Sequence, residues 1–456
     1  MRRLSLKVMA NHGRAGAGLI VFLCVLSACG TEQGFTRQEP PTDAQVEELR
    51  AAALPFQADP ARETLLGQDL ASVDVVLLGE DTHGTREFYE LRSRITQYLI
   101  AEHGFTAVLI EGDWPEASPV NAYVRGEEAG PDPLAGFASF PNWMWRNEEV
   151  RGLVEWMRAH NAQAPRKVGF YGLDLQNLDA ALTRAVAYLE GISPESGERA
   201  RGYHACFRRA GRGGEAYGPE AARGAVVCTR EAAQLLEDVE AQRSGAEQRG
   251  EAALEAWFDA RESARAVKDG EAYYRGMYQG ENSWNIRDRH MLGVLQAVTE
   301  HHARTGQRAR VIVWAHNTHV GDARATSMAA QGDLNLGELV RTQWDRSTFL
   351  LGFTTYEGAV TAASSWGGAP EDKPLAPAVE GSYEHLFHQL GLPRFVVRLR
   401  GDTPEVLQHL RPERAVGVVF QPSLERAGNY LDARMAEQFD AVIHVDRSTR
   451  VLPLGR

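Results

Sequence analysis

Four short apolar runs, each ending in acidic or histidine residues, constrain this chain more than any other feature. They are VDVVLLGE (residues 73–80), TAVLIEGD (106–113), KVGFYGLD (167–174) and RVIVWAHNTH (310–319). A strand with one wet face alternates apolar and polar residues. A run that is apolar almost throughout suits a strand covered on both faces, as in a parallel sheet. Between the first two runs Phe88, Leu91, Ile95, Leu99 and Ile100 recur at helical spacing, and Gly104 suits a helix C-cap. Strand, helix and strand in that order make a βαβ unit. Four more candidate strands follow: TFLLGFTTY (348–356), RFVVRLR (394–400), AVGVVF (415–420) and DAVIHVD (440–446). From Thr229 to about Arg304 the chain is rich in Ala, Glu and Arg, which predicts two or three long helices broken near Ser244-Gly245 and Gly280. The expected fold class is α/β, with a large, mostly parallel sheet, flanking helices and a helical insertion over about residues 180–305 of a domain spanning 46–456.

The residues that close these runs carry the chemistry. The first ends in Glu80 with His83 close behind, the second in Glu111 and Asp113, the third in Asp174, the fourth in His316 and His319. Open α/β sheets bind ligands beyond the carboxyl ends of their strands. If the four strands are parallel neighbours, one crevice collects acids and histidines. In LGEDTHGT (78–85), Gly79 and Gly84 permit a sharp turn and Thr85 is placed to cap the next helix. Arg92 on that helix can either clamp a substrate carbonyl or pair with Glu80 or Glu111. No Gly-x-Ser-x-Gly elbow occurs, nor a phosphate-binding glycine loop behind a strand, so that serine chemistry and nucleotide binding have no support. No cofactor is called for. His316-x-x-His319 together with Glu80 and Glu111 leaves a divalent metal open.

The first 28 residues read as a leader. A basic start (Arg2, Arg3, Lys7, Arg14) precedes an apolar stretch from about Ala15 to Ala28, too short for a comfortable membrane span. Leu26-Ser27-Ala28-Cys29 resembles a bacterial lipobox, which implies cleavage before Cys29 and lipidation of its thiol. Gly30 in place of an aspartate points to an outer-membrane or periplasm-facing envelope location, with residues 29–45 as a tether. Loss of the leader's four positive charges takes the formal net charge from −12 to −16. No basic cluster remains, so nucleic acid is not an expected partner. Of four cysteines, Cys24 leaves with the leader and Cys29 takes the lipid. Cys206 and Cys228 remain, and an even pair in an exported protein reads as a disulfide.

The blocks GEDTHGTREF (79–88), IEGDWPEA (110–117), GLDLQ (172–176), NIRDRHM (285–291) and WAHNTHVG (314–321) resemble the erythromycin esterase family, in order and over about residues 70–450. The resemblance implies an α/β fold whose large sheet lies in two blocks beside a helical portion. It also implies ester hydrolysis by water that His83 activates. Glu80, Glu111, Arg92, His316 and His319 match active-site positions, and Asp174 and Arg287 lie in shared blocks as substrate-binding candidates. The expected mechanism is direct attack of water on a carboxylic ester, a macrolide lactone among them. Glu80 or Glu111 orients His83, Arg92 stabilises the oxyanion, and His316 or His319 protonates the leaving alkoxide. Two features depart from the family pattern: Asp81, which is expected to add a negative charge beside His83, and the cysteine-bearing segment near 200–228. The rival readings are a metal-dependent hydrolase using the same residues and a non-catalytic, ligand-binding envelope lipoprotein.

Overall fold

The computed structural model describes residues 40–455, apart from 65, 128, 129, 131, 305 and 307. The leader, Cys29 and most of the expected tether lie outside the described residues. Eleven strands are described: β1 (Leu54–Pro55), β2 (Val75–Leu78), β3 (Ala107–Asp113), β4 (Gly169–Asp174), β5 (Val311–Trp314), β6 (Thr348–Ala362), β7 (Glu371–Leu375), β8 (Arg394–Arg398), β9 (Arg411–Arg414), β10 (Tyr430–Ala433) and β11 (Ala441–Ser448). Nine form one sheet in the order β1-β8-β11-β6-β2-β5-β3-β4, with β7 paired to β6; β9 and β10 form a separate ribbon. The pairs from β11 across to β4 are all parallel. Within this sheet the antiparallel pairs are β1–β8, β8–β11 and β6–β7, and the β9–β10 ribbon is antiparallel too. The two blocks of strands meet where β2 pairs with β6.

The apolar runs are strands covered on both faces. Val75, Leu77, Leu109, Val311 and Val313 enter one hydrophobic core together with residues of the long helices. Val76, Leu78, Val108, Ile110, Ile312 and Trp314 enter the core on the other side, under the Arg86–His103 and Glu148–Gln163 helices. Side chains alternate along each strand, yet both faces are buried, so the sequence shows no alternation.

Helices span Thr229–Glu240, Arg243–Arg249, Glu251–Gln279 and Ser283–Ala303. The expected break at Gly280 is present, with the glycine in the left-handed conformation that ends a helix (φ 77). The break expected at Ser244-Gly245 lies inside a helix; the chain turns instead at 241–242 and at Gly250 (φ 97). The expected strand over 415–420 is absent. Its strand-like residues make only isolated bridges, Val416 with Thr82 and Val419 with Ala363, and the strand of that region is β9 just before it. Cys206 and Cys228 are bridged, with Cα atoms 5.9 Å apart. The bridge ties the end of the Pro194–Arg208 helix to the start of the Thr229–Glu240 helix, across the Gly214–Ala222 helix.

Candidate active site

The turn after β2 is shaped by close approach. Gly84 takes a positive φ of 75, and a Cβ there would lie 2.1 Å from Thr361 O. Gly79 is needed for a different reason from the one expected: it has no special φ, but a Cβ would lie 2.1 Å from Asn317 Oδ1. Thr85 stands at the N-cap without a capping bond, because its hydroxyl pairs with that of Thr82.

The turn delivers His83 to the crevice, where its Nδ1–H donates to Glu80 Oε1 (3.0 Å). Arg92 Nη2 donates to the other oxygen, Oε2 (2.9 Å). Arg92 is 0% exposed and its guanidinium lies over the rings of Tyr89 (4.5 Å) and Trp314 (4.8 Å). It therefore holds Glu80 from beneath, the pairing that the sequence leaves open beside the clamp, and is not placed to stabilise a substrate oxyanion. With Nδ1–H committed to Glu80, Nε2 of neutral His83 carries the lone pair, and it bonds to no other group among the described residues.

His316, beyond β5, stands 4.7 Å from His83 between ring centroids. Its Nε2 lies 3.1 Å from Asp81 O, a pure acceptor, so that nitrogen carries the hydrogen. Nδ1 accepts from Thr318 N (3.2 Å) and faces Thr318 Oγ1 (2.9 Å). Burial, then the neighbouring His83, push the His316 pKa down to about 3. His316 is thus neutral with both nitrogens engaged, and the role of proton donor to a leaving alkoxide does not suit it.

Glu111 sits at a register shift between β3 and β4, at Ile110–Asp113. Such irregularities re-aim side chains. Here one Glu111 oxygen accepts from His316 N (2.8 Å) and the other from Arg287 Nη2 (2.9 Å). Burial alone would raise the Glu111 pKa, but His319 and Arg287 hold it well below the usual carboxylate range. Arg287 also grips both oxygens of Asp174 (Nε to Oδ1 3.0 Å, Nη2 to Oδ2 2.6 Å). Asp113 faces away, accepting from Asn177 N (2.9 Å), and burial beside Asp174 and Glu116 raises its pKa.

His319 donates through Nδ1 to Asp288 Oδ1 (2.8 Å), and its ring stacks on Trp284 (4.3 Å). Nε2 stands 3.0 Å from Arg287 Nη1 and 3.4 Å from Glu111 Oε1. It can accept from the arginine only when neutral and donate to the glutamate only when protonated. Burial opposes the charged ring, but Asp288 and Glu111 outweigh burial and raise His319 to about 9. Asp288 and Trp284 were missed by sequence reasoning. A signal existed: Trp284, Arg287 and Asp288 recur at helical spacing, so they share a face with the arginine already singled out.

Asp81 overturns an expectation. Its side chain is 0% exposed and points away from His83, Oδ2 accepting from Thr355 N (2.9 Å). Burial, then Glu384 nearby, raise its pKa well above the usual range, which opposes the negative charge expected beside His83. His290, His301 and His302, further along the Ser283–Ala303 helix, are buried. They bond Asp269, Glu255 and the Tyr171 hydroxyl respectively.

Glu80, His83, Arg92, Glu111, Asp174, Arg287, His316 and His319 thus join one network at the carboxyl ends of β2, β3, β4 and β5, without Asp113, with a base-shaped histidine at one end and a cationic cluster at the other. Among the described residues no group of three or more His, Cys, Asp or Glu is arranged to hold a metal ion. An open cleft of about 680 Å³ lies at the opposite end of the sheet, lined by Phe105, Trp156, His160, Arg166 and Lys167. Among the described residues no ion pair joins that histidine to a carboxylate, and the carboxyl-end crevice is the candidate site.

A sheet of this topology, with histidines and carboxylates converging beyond its central strands, defines an α/β protein with a candidate site at the carboxyl ends of those strands. The chain belongs to the erythromycin esterase family, whose profile matches residues 100–448, and the family makes it a hydrolase acting on a small molecule. It is similar to an erythromycin esterase type II of Escherichia coli, 23% identical over 408 residues, covering 82% of this chain and 90% of the relative. Two solved structures share the fold. A Bacillus cereus protein gives a TM-score of 0.74 at 20% identity, over 91% of this chain and all (100%) of that one. A mutant erythromycin esterase, EreC, in its open conformation, gives 0.62 at 15% identity, over 87% and 98%.

Proposed function

We propose that this protein hydrolyses carboxylic esters, macrolide lactones among them, by direct attack of water and without a covalent intermediate. The observation that carries this reading is the Arg92–Glu80–His83 chain, which leaves Nε2 of His83 as a lone pair facing the crevice. Nε2 takes a proton from water, and Glu80, itself fixed by Arg92, steadies the imidazolium that forms. The water oxygen adds to the ester carbonyl. The developing oxyanion is met by the cationic cluster of Arg287 and protonated His319, a role that fits part-exposed Arg287 better than fully buried Arg92. Collapse expels the alkoxide, and the proton returns to it from His83, since His316 has no nitrogen to spare. The products are the acid and the alcohol.

The test is turnover of a panel of simple esters and macrolides by the purified protein and by His83→Ala. Loss of a general base typically costs on the order of 10²- to 10⁴-fold. The variant should lose activity on that scale and keep its circular dichroism spectrum. His301→Ala, which breaks a buried pair far from the crevice, should lower thermal stability and leave activity per folded molecule intact. Retention of near-normal turnover in His83→Ala would remove the base assignment. Overnight chelation should leave activity in place; activity lost and then restored by zinc or manganese would favour a metal-dependent route.

A further inference from the structure

Two side-chain contacts join the β6–β7 turn to segments that pack beyond β3 and β4. β6 leaves the sheet beside the His83 turn, where Thr361 N donates to Gly84 O (3.2 Å). Shortly after, in the turn between β6 and β7, stands Trp366. Its ring meets Phe140 edge-on with centroids 4.9 Å apart, and its Nε1–H donates to Glu215 Oε1 (3.1 Å).

Phe140 and Glu215 belong to the far side of the site. Ser139, next to Phe140, is held beyond the ends of β3 and β4: its N–H donates to Glu116 Oε1 (3.2 Å) and its hydroxyl accepts from Asn177 Nδ2 (2.8 Å). Gly214, next to Glu215, packs so closely on Tyr274 that a Cβ would lie 1.8 Å from its ring. The Tyr274 hydroxyl in turn donates to Gln176 O (2.7 Å), just past β4. In the sheet, β2 and β5 lie between β6 and β3, and these two strands present His83 and His316. The contacts of Trp366 with Phe140 and Glu215 therefore span the two histidines.

We propose that Trp366 is a specificity-determining gate, which selects esters by size at the mouth of this crevice; the ester part of the proposal rests on the function put forward above. The floor is closed off, His83 being 5% and His316 4% exposed. The strap above it reaches solvent, since Trp366 and Phe140 are half-buried and Glu215 is exposed. Gly367 (φ 73) and Gly368 directly follow the tryptophan and can absorb the backbone change that opening needs. Small esters reach His83 with the strap in place. A large ester must part Trp366 from Phe140, and the two rings then offer apolar faces to its hydrocarbon portion.

Carbethoxylation by diethyl pyrocarbonate, followed residue by residue by peptide mass spectrometry, reads access to the floor without any ester turnover. In Trp366→Ala, His83 and His316 should react several-fold faster than in the wild type. His388 and His409, with side chains 43% and 41% exposed, should not change and serve as references. Should Trp366→Ala fail to fold, Glu215→Ala carries the same comparison, with a smaller rise expected. Unchanged rates at His83 and His316 overturn the gate. In the turnover arm, Trp366→Ala should raise kcat/KM for bulky esters relative to small ones, and an unchanged ratio overturns the size selection. If the wild type turns over no ester at all, the proposed function fails, and the carbethoxylation rates still decide whether Trp366 gates the crevice.

Discussion

Asp81 shows how far a formal charge can mislead at the scale of one residue. By position it lies between two catalytic candidates, yet its carboxyl is buried, and burial, then nearby Glu384, raise its pKa well above the usual range. A carboxyl whose folded pKa is raised binds more protons folded than unfolded. Its stabilising contribution is therefore present at low pH and is lost as pH rises past the unfolded value near 4. At neutral pH the burial of this acid therefore costs stability. Asp81→Asn keeps an oxygen to accept from Thr355 N and removes that cost. Its Tm at neutral pH should be higher than the wild type's, by scanning calorimetry, with the gain shrinking as the buffer is made acidic. A lower Tm at neutral pH would mean that Asp81 is ionised in the fold.

Single elements carry whole pieces of the site. The Ser283–Ala303 helix brings Trp284, Arg287 and Asp288 to the crevice on one face, and the same helix buries His290, His301 and His302 among its neighbours. The Gly214–Ala222 helix is held by the Cys206–Cys228 bridge and by Tyr217, whose hydroxyl donates to Glu271 Oε1 (2.8 Å) and accepts from Cys228 N (2.9 Å). Closing a loop of this size contributes about 3 kcal/mol in the chain-entropy view. Replacing both cysteines with serine should lower the denaturation midpoint accordingly. Peptide maps of the unreduced protein should recover the linked fragments, and two readily alkylated thiols would rule the bridge out.

The molecule as a whole stores part of its stability in the charge state of the crevice. His319 has a folded pKa raised to about 9 from a usual 6.5. Its contribution is fully present below about 6.5 and is lost as pH rises through about 9, with a limit on the order of 3 kcal/mol. His316, lowered to about 3, acts on the acid side: the unfolded chain gains a proton near 6.5 that the folded one refuses, so stability falls as pH drops from there toward 3. Tm should therefore decline on both sides of neutrality. Asp288→Asn should flatten the alkaline limb, and an alkaline limb as steep as that of the wild type in that variant would show that His319 is not its source. We also propose that the folded domain is tethered to the cell envelope through lipidated Cys29. Cys29→Ala should move the protein out of the membrane fraction, and unchanged fractionation would end that reading.

The sequence by itself determined the parallel core of the sheet and the residues that gather at its edge. Runs such as VVLL and VIVW can be satisfied only between two covered faces, and polar residues at the end of such a strand fall beyond the core, where the loops converge. What it could not determine was which way each polar side chain turns. Arg92 went beneath Glu80, Asp81 turned from the crevice, and His316 spent both nitrogens on Asp81 O and Thr318. The residues of 415–420, strand-like in composition, found no continuous partner strand and formed only isolated bridges. Side-chain direction, burial and pairing depend on segments far apart in sequence, such as the helix that carries Asp288 and the hairpin that carries Trp366. Those contacts exist only once the chain has folded.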